Sequence, residues 1–450
     1  MTTQVLGQHL TSSTMSPASI AATAPPWADL LPELCHLVTE RLDPISILRF
    51  PAVCRGWSAA CEENPRLRPG APALLTSGLD TDGCEIESNV DAGAFGLHDV
   101  SGADAGGKSF LGEAEGLKGR TWVGGKDGWL VTTDCGCDVE LLNPVTGARV
   151  RLPSFATIRG VEVPGYLHVR TTRGGHCHKI LKVALCRTPA HPDGHLAVAL
   201  FSQGLLAFTA AGAGDKGEYR WTALKNPTSA SRSDVSYMDA IVLDGKLFAV
   251  NEVGRIYSWD MDGGATTEPA VVKGPEIDES SGHDNDHDRC GFYLAAASGG
   301  GGGQERLLLI YVHGYDVADM YKYRGRCWDS RVWSRLVFDD RRSFLELGMS
   351  LHELDAGSGT WRRVADLGGD RALFLGPNYP FYVTVRRGRA SEDEADLEAD
   401  CVYLADTPYG CDAAIFDLKV DGYIKQRLAY SLVADPLQMP MWFLPTDYPH

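Results

Sequence analysis

The sequence predicts a mainly β protein, in which a large β-propeller-like domain follows a small three-helix module. Three observations predict it. Helical periodicity is confined to a stretch of about forty residues from Trp27. Beyond that stretch, short β-type apolar runs recur, separated by turns that draw on the chain's 50 glycines. A turn signature, Asn or Asp closing a strand with Gly following, also repeats along the β region.

The helical signals come in order. From Leu30 to Leu42, apolar residues fall at 30, 31, 34, 37, 38 and 42, one face of an α-helix. Asp43-Pro44 supplies an N-cap and a proline at the first helical position of a second helix, which carries Ile45, Ile47, Leu48 and Phe50 and ends at Pro51. A third helix runs through Val53, Cys54, Trp57, Ala60 and Cys61 to Asn64-Pro65. Three short helices bury little surface, so this unit leans on something else. The division expected is a disordered tail over 1–26, the helical module over 27–68, a linker with lead-in strands over 69–110, and the β domain over 111–450.

Strand-like runs are Trp129–Thr132, Val139–Leu142, His195–Phe201, Leu205–Thr209, Ala240–Leu243, Lys246–Val250, Arg255–Trp259, Leu307–Val312, Phe381–Val385, Cys401–Leu404 and Ala414–Leu418. The turn signature joins Asn143 to Gly147, Asp260 to Gly264 and Asp355 to Gly359, with a looser copy at Asp417 and Gly422. The Asx side chain bonds backbone N–H groups and the glycine takes φ > 0, so the chain reverses. Arg149–Pro153 and Trp361–Val364 read as return strands. At about 45 residues per blade, the β region has room for about six or seven blades, with Trp221, Trp259 and Trp361 in their cores.

Composition narrows function. A net charge of −17 opposes contact with nucleic-acid phosphates and with an anionic membrane leaflet, so protein partners are expected. The 12 cysteines are scattered and residues 1–26 show no secretory pattern, which points to reduced thiols and to cytoplasm and/or nucleus. Residues 278–290, the glycines at 299–303 and the acidic stretch Ser391–Asp400 after Arg386, Arg387 and Arg389 read as solvated loops.

Chemical lookalikes dissolve on their spacing. Gly212 to Gly217 spells GxGxxG, but Glu218–Thr222 after it reads as a strand where a dinucleotide site needs a helix. Asp284, Asp286 and Asp288 begin like a calcium loop that then has Arg289 at the glycine position and Ala295 at the bidentate acid. Cys135-Gly136-Cys137 and His176-Cys177-His178 lack zinc spacing. His352-Glu353 lacks the second zincin histidine, and Gly348-Met349-Ser350 lacks the closing glycine of a nucleophile elbow. No catalytic residue, metal or cofactor is expected.

Leu31-Pro32-Glu33-Leu34, the apolar helix after it, and Phe50-Pro51-Ala52-Val53-Cys54-Arg55-Gly56-Trp57 together resemble an F-box, with Cys35-His36 standing where aliphatic residues are common. The remainder resembles the KIB-type, kelch-like propeller region of a plant F-box family. The matching pieces are Leu142–Gly147 running to Leu152-Pro153, Arg371–Gly376, Cys401–Asp406 and Met441–Pro445. The resemblance implies the substrate-recognition subunit of a Skp–cullin–F-box ubiquitin ligase, not itself an enzyme. Leu31, Pro32, Leu34, Val53 and Trp57 would bind a Skp-type adaptor, and through it a cullin, while the propeller holds a target protein. The alternatives are a propeller scaffold outside any ligase, or an enzyme using the propeller channel.

Overall fold

The computed structural model describes residues 27–39, 41–42, 46, 49–63, 72–76, 93–100, 109–165, 168–171, 177–210, 219–228, 236–261, 268–275, 291–297, 305–313, 348–355, 357–385, 397–405, 413–420, 422–428 and 439–444. The expected tail over 1–26 and the calcium-like, glycine-run and GxGxxG segments lie outside these residues, as do Asp43, Pro44, Ile45, Ile47 and Leu48 of the expected second helix.

The helical module contains α1 (Pro32–Thr39), a 3-10 turn at Phe50–Ala52 and α2 (Arg55–Glu63). Pro32 takes the first helical position, where its missing N–H is no loss, and the Leu31 carbonyl accepts from the Leu34 and Cys35 amides. Ser46 and Arg49 are helical, and Pro51 sits inside the 3-10 turn that ends this run.

Among the described residues the β region is a propeller of five sheets, read as six blades because the nine-stranded sheet spans two of them, joined by a single pair, Gly348 with Tyr423. Blade I takes β1 (Ala73–Thr76), β2 (Ala94–Asp99) and β3 (Ser109–Glu113); blade II takes β4 (Arg120–Lys126), β5 (Trp129–Asp134), β6 (Val139–Leu142) and β7 (Arg149–Arg151). A hairpin of β8 (Val161–Gly165) and β9 (His168–Thr171) leads into blade III. That blade is built from β10 (Cys177–Arg187), β11 (Leu196–Phe201), β12 (Leu206–Ala210) and β13 (Thr222–Ala223). Blade IV holds β14 (Tyr237–Leu243), β15 (Lys246–Asn251), β16 (Ile256–Asp260) and β17 (Ala270–Val272). Blade V holds β18 (Gly291–Ala297), β19 (Arg306–His313), β20 (Gly348–Asp355) and β21 (Thr360–Val364). Blade VI has five strands: β22 (Arg371–Leu375), β23 (Phe381–Thr384), β24 (Cys401–Ala405), β25 (Ala413–Asp417) and β26 (Tyr423–Leu428), in spatial order β23-β22-β24-β25-β26 with β22 and β24 parallel.

The ring closes when β27 (Met441–Phe443) pairs with β1, supplying blade I with its fourth strand. Within the segment expected to be linker and lead-in strands, the described strands Ala73–Thr76 and Ala94–Asp99 pair in the sheet that also holds β3 and β27. The partner strand β27 lies at the far end of the chain, so no local pattern marks these strands as blade.

Closure removes the long exposed sheet edges. Adjacent blades pack face to face around apolar clusters, so most strands are covered on both sides. That is why runs such as Leu196–Phe201 are continuously apolar instead of alternating. The turn signature forms as expected: the Asn143 side chain accepts from the Val145 and Thr146 amides, Asp355 from Gly357, and Gly147 and Gly359 lie at φ 75° and 67°. Trp221 and Trp259 are buried, whereas Trp361 is only half-buried because its indole lies at the outer strand and donates to the Lys273 carbonyl at 2.5 Å. The expected strand at 218–222 shrinks to Thr222–Ala223.

Candidate functional site

Inside the helical module, Cys35, Phe50 and Ala60 are buried, with Leu30, Val38, Leu42 and Trp57 packed against them. Phe50 stacks on Trp57 at 4.2 Å, the Trp57 indole donates to the Trp27 carbonyl at 2.7 Å, and His36 Nε2 lies 3.2 Å from the Ala60 carbonyl. Cys35-His36, the departure from the F-box pattern, thus has structural work: the thiol fills the core and the imidazole ties α1 to α2. Burial raises the Cys35 thiol above its ordinary range, with nearby Cys54 adding to the effect.

Leu31 (62% exposed), Leu34 (45%), Leu37 (56%) and Val53 (57%) face outward, and Pro32 is exposed beside them. The spacing of 31, 34 and 37 places those leucines on one side of α1. Each side chain of this size left in water forgoes about 1.5–3 kcal/mol of burial. Exposed apolar side chains on a unit with so small a core are a common feature of surfaces that bind partners. Of the five residues implied as adaptor-binding, four are exposed, while Trp57 is half-buried and packs against the buried residues of the module.

The module touches the propeller through Arg49, whose Nε donates to the Val145 carbonyl at 2.5 Å in the turn between β6 and β7. Strands β4, β5 and β6 alternate in direction, so this turn lies on the face where the inner strand β4 ends.

The same face of the axis is occupied by the chain itself. β4, β10, β14 and β18 pack in succession, and β22 packs against β27, which packs in turn against β4. The turn between β22 and β23, Gly376-Pro377-Asn378-Tyr379-Pro380, reaches across to these strands. Lys182 of β10 donates to the Gly376 carbonyl at 2.9 Å and to Asp239 of β14 at 2.6 Å, and Asp239 also accepts from the Leu294 amide of β18 at 3.0 Å. The Tyr379 amide donates to the Gly125 carbonyl at 2.7 Å and its hydroxyl to Val242 at 3.4 Å. Lys126 lies 4.0 Å over the Tyr379 ring and donates to the Cys186 carbonyl at 2.9 Å. Burial raises the Tyr379 hydroxyl well above its ordinary range and pushes the Cys186 thiol up to about 12, so both stay neutral at physiological pH. The turn is thus held by hydrogen bonds with β4, β10 and β14.

The chemical lookalikes are placed by the same geometry. Cys135 is exposed and Cys137 buried in the turn between β5 and β6, which Asp134 closes by accepting from the Gly136 and Asp138 amides. His352 and Glu353 lie in strand β20, not in a helix, and Glu353 pairs with Arg306 at 2.5 Å and Arg362 at 2.9 Å. Among the described residues no three His, Cys, Asp or Glu side chains converge as a metal site, and no helix is long and apolar enough to cross a membrane. The axial turn went unread in the sequence: Pro-Asn-Tyr-Pro looks like any loop, and only the polar residues Lys182 and Asp239 within apolar strands hinted at an internal partner.

The family model described as KIB1-4 beta-propeller matches residues 104–422. The chain belongs to that family. The match stops short of the helical module, of β1 and β2, and of the closing strand β27, so in this KIB1-4 propeller the strands that close the ring lie outside the matched span. No curated protein matches the chain. Among solved structures, it is similar to the computationally designed Ika8 protein, with 10% identity, a TM-score of 0.27, and 80% of this chain and 82% of that one covered. It is also similar to the Cps50 (Swd1) β-propeller domain of Myceliophteria thermophila, at 11% identity and a TM-score of 0.31, covering 76% of this chain and 85% of that one. The N-terminal domain of Nup159 follows, at 9% identity and a TM-score of 0.32, covering 76% and 73%.

Proposed function

We propose that this chain is the substrate-recognition subunit of a Skp–cullin–F-box ubiquitin ligase. The coarser part of that reading, a propeller serving as a protein-interaction scaffold, is supported by the family to which the chain belongs. The observation that carries the finer part is the outward apolar side of the helical module, in the segment whose sequence resembles an F-box. Leu31, Pro32, Leu34 and Val53 supply the contact with a Skp-type adaptor, and through it a cullin. Trp57 acts behind them as a positioning residue. The propeller holds a target protein, and no catalytic group is assigned to it. With the module attached on the face where β4 ends, the opposite face is left for the target. The work is that of a cytoplasmic or nuclear protein with reduced thiols.

Co-purification of a Skp-type adaptor with the wild type and with a Leu31→Ala, Pro32→Ala double variant, alongside thermal melts, tests the reading. Interface energy concentrates in a few central apolar anchors, so the double variant loses on the order of 3 kcal/mol, roughly a hundredfold in affinity. Its melting temperature stays that of the wild type. Failure of the wild type to capture any of several such adaptors overturns the ligase reading and leaves the scaffold. Equal capture by the double variant overturns the residue assignment.

A further inference from the structure

We propose that Gly376–Pro380 is an axial latch that secures closure of the ring, and that Lys182 is its key. The closing strand β27 has three residues and pairs with β1 at three positions only, Ala73 with Phe443, Leu74 with Trp442 and Leu75 with Met441. Each such backbone hydrogen bond contributes a modest net amount in water, so a ladder this short is a weak lock for a ring of six blades.

The axial turn supplies what the ladder lacks. Asn378, 1% exposed, accepts from the Trp442 amide at 3.1 Å through its side-chain oxygen and donates to the Tyr379 carbonyl at 3.0 Å through its side-chain nitrogen. Phe374, at the end of β22, meets the Trp442 ring edge-on at 5.1 Å. Through the contacts of Gly376 and Tyr379, the same five residues are tied to β4, β10 and β14. The position of β27 is thereby referred directly to blades II, III and IV across the axis, not only to its neighbours around the rim.

Lys126 also touches the latch, over the Tyr379 ring, but Lys182 is decisive because it is buried and bonds a latch carbonyl directly. It is 7% exposed, Asp239 is 1% exposed, and the ammonium group bonds both the Asp239 carboxylate and the latch carbonyl. Removing the lysine leaves a buried carboxylate without its cation, which strongly destabilises the site. The two prolines within the latch, Pro377 and Pro380, restrict the open chain, so less entropy is lost when it seats.

The test is hydrogen exchange followed by mass spectrometry on the full chain, comparing wild type, Lys182→Met, Asn378→Ala and, as a control with no part in the latch, Leu308→Ala in the core between blades V and VI. Lys182→Met is expected to speed exchange of the β27 and β1 amides by about a hundredfold, and Asn378→Ala by about fivefold or more. In Asn378→Ala, β6 and β15 remain near their wild-type rates; in Lys182→Met, β6 does, while β15, paired with β14 beside Asp239, follows the loss of the ion pair. Leu308→Ala is expected to loosen β19, β20 and β24 first. The proposal is overturned if β27 exchanges at the wild-type rate in Asn378→Ala, or no faster than in the control. If Lys182→Met does not fold, Asn378→Ala alone decides, since it leaves the buried ion pair intact.

Discussion

The two regions of this molecule put their apolar side chains to opposite uses. In the propeller, Trp221, Leu294 and Phe416 are fully enclosed, and the clusters between blades form an almost continuous core around the ring. The helical module encloses Cys35, Phe50 and Ala60 and turns Leu31, Leu34, Leu37 and Val53 to solvent. Burial scales with size, so a region of some 370 residues supplies its own stability while one of about forty cannot do so easily. The difference is one of proportion. The propeller also exposes Leu111, Val253, Val271 and Val420, but beside a large core. The module exposes its apolar side chains beside a core of three buried residues, and it is there that a partner is proposed.

The largest effect expected from breaking that contrast is in the propeller core. Trp221 packs its ring 4.9 Å from Phe155 and donates its indole N–H to the Pro153 carbonyl at 2.7 Å, joining blade III to the end of blade II. Trp221→Ala is expected to cost about 3–5 kcal/mol, seen as a large fall in the main thermal transition. Adaptor capture at low temperature should persist, because the module shares no part of that core. Loss of capture under conditions where the propeller of the variant is still folded would show that the two regions are not independent.

Much of this contrast was legible in the sequence. The Leu-Pro start of α1 and the Asx-to-Gly turns at 143/147 and 355/359 rest on local chemistry, and they form as read. Two further local signals went unread: Asp127-Gly128 and Asp244-Gly245 make tight hairpins with both residues at positive φ. What could not be read locally was long-range. β1 finds β27 across the whole chain, and β19 pairs with β20 although residues 314–347 separate them, which upsets any count of blades by spacing. Lys182 looks like a solvent-facing residue of a strand until Asp239 and Gly376 are brought beside it. On the module, the sequence pattern marked the apolar residues but not their direction. Leu34 and Cys35 are adjacent, yet one faces water and the other the core.

A second, intermediate effect sharpens the contrast through charge. The described charged side chains of the module are exposed or half-buried, whereas the propeller buries Asp400 at the start of β24 to 2% exposure. Burial alone would raise this carboxyl, but the Leu367 and Gly369 amides, both near 2.9 Å or closer, and Lys419 outweigh it and hold it below the usual range. A carboxylate whose folded value is depressed gives stability that is fully present above the unfolded value of about 3.9 and is lost as pH falls through the folded one. Asp400→Asn is therefore expected to be less stable by about 1–2 kcal/mol at neutral pH. The gap to wild type should narrow as melts are taken from pH 5 towards pH 2.5. A gap that stays constant over that range would mean that Asp400 contributes through shape and not through its charge.

The smallest expected effect tests the module side of the comparison most directly. Leu37 lies on α1 on the same side as Leu31 and Leu34 and is 56% exposed. If this side is an interaction face, its side chain does little for the free protein, and Leu37→Ser is expected to change stability by no more than about 0.5 kcal/mol, the ordinary range for a surface site. Helix propensity works slightly against the serine, by a few tenths of a kcal/mol, which falls inside that range. Hydrogen exchange of the α1 amides reads the module itself, apart from the melting of the much larger propeller. Exchange within about twofold of wild type, together with weaker adaptor capture, fits an outward face that becomes buried only in a complex. Exchange in α1 faster by tenfold or more would mean that Leu37 is already packed in the free protein, against the propeller or another part of the chain. The contrast between a region that hides its apolar side chains and one that displays them would then fail at its most exposed helix.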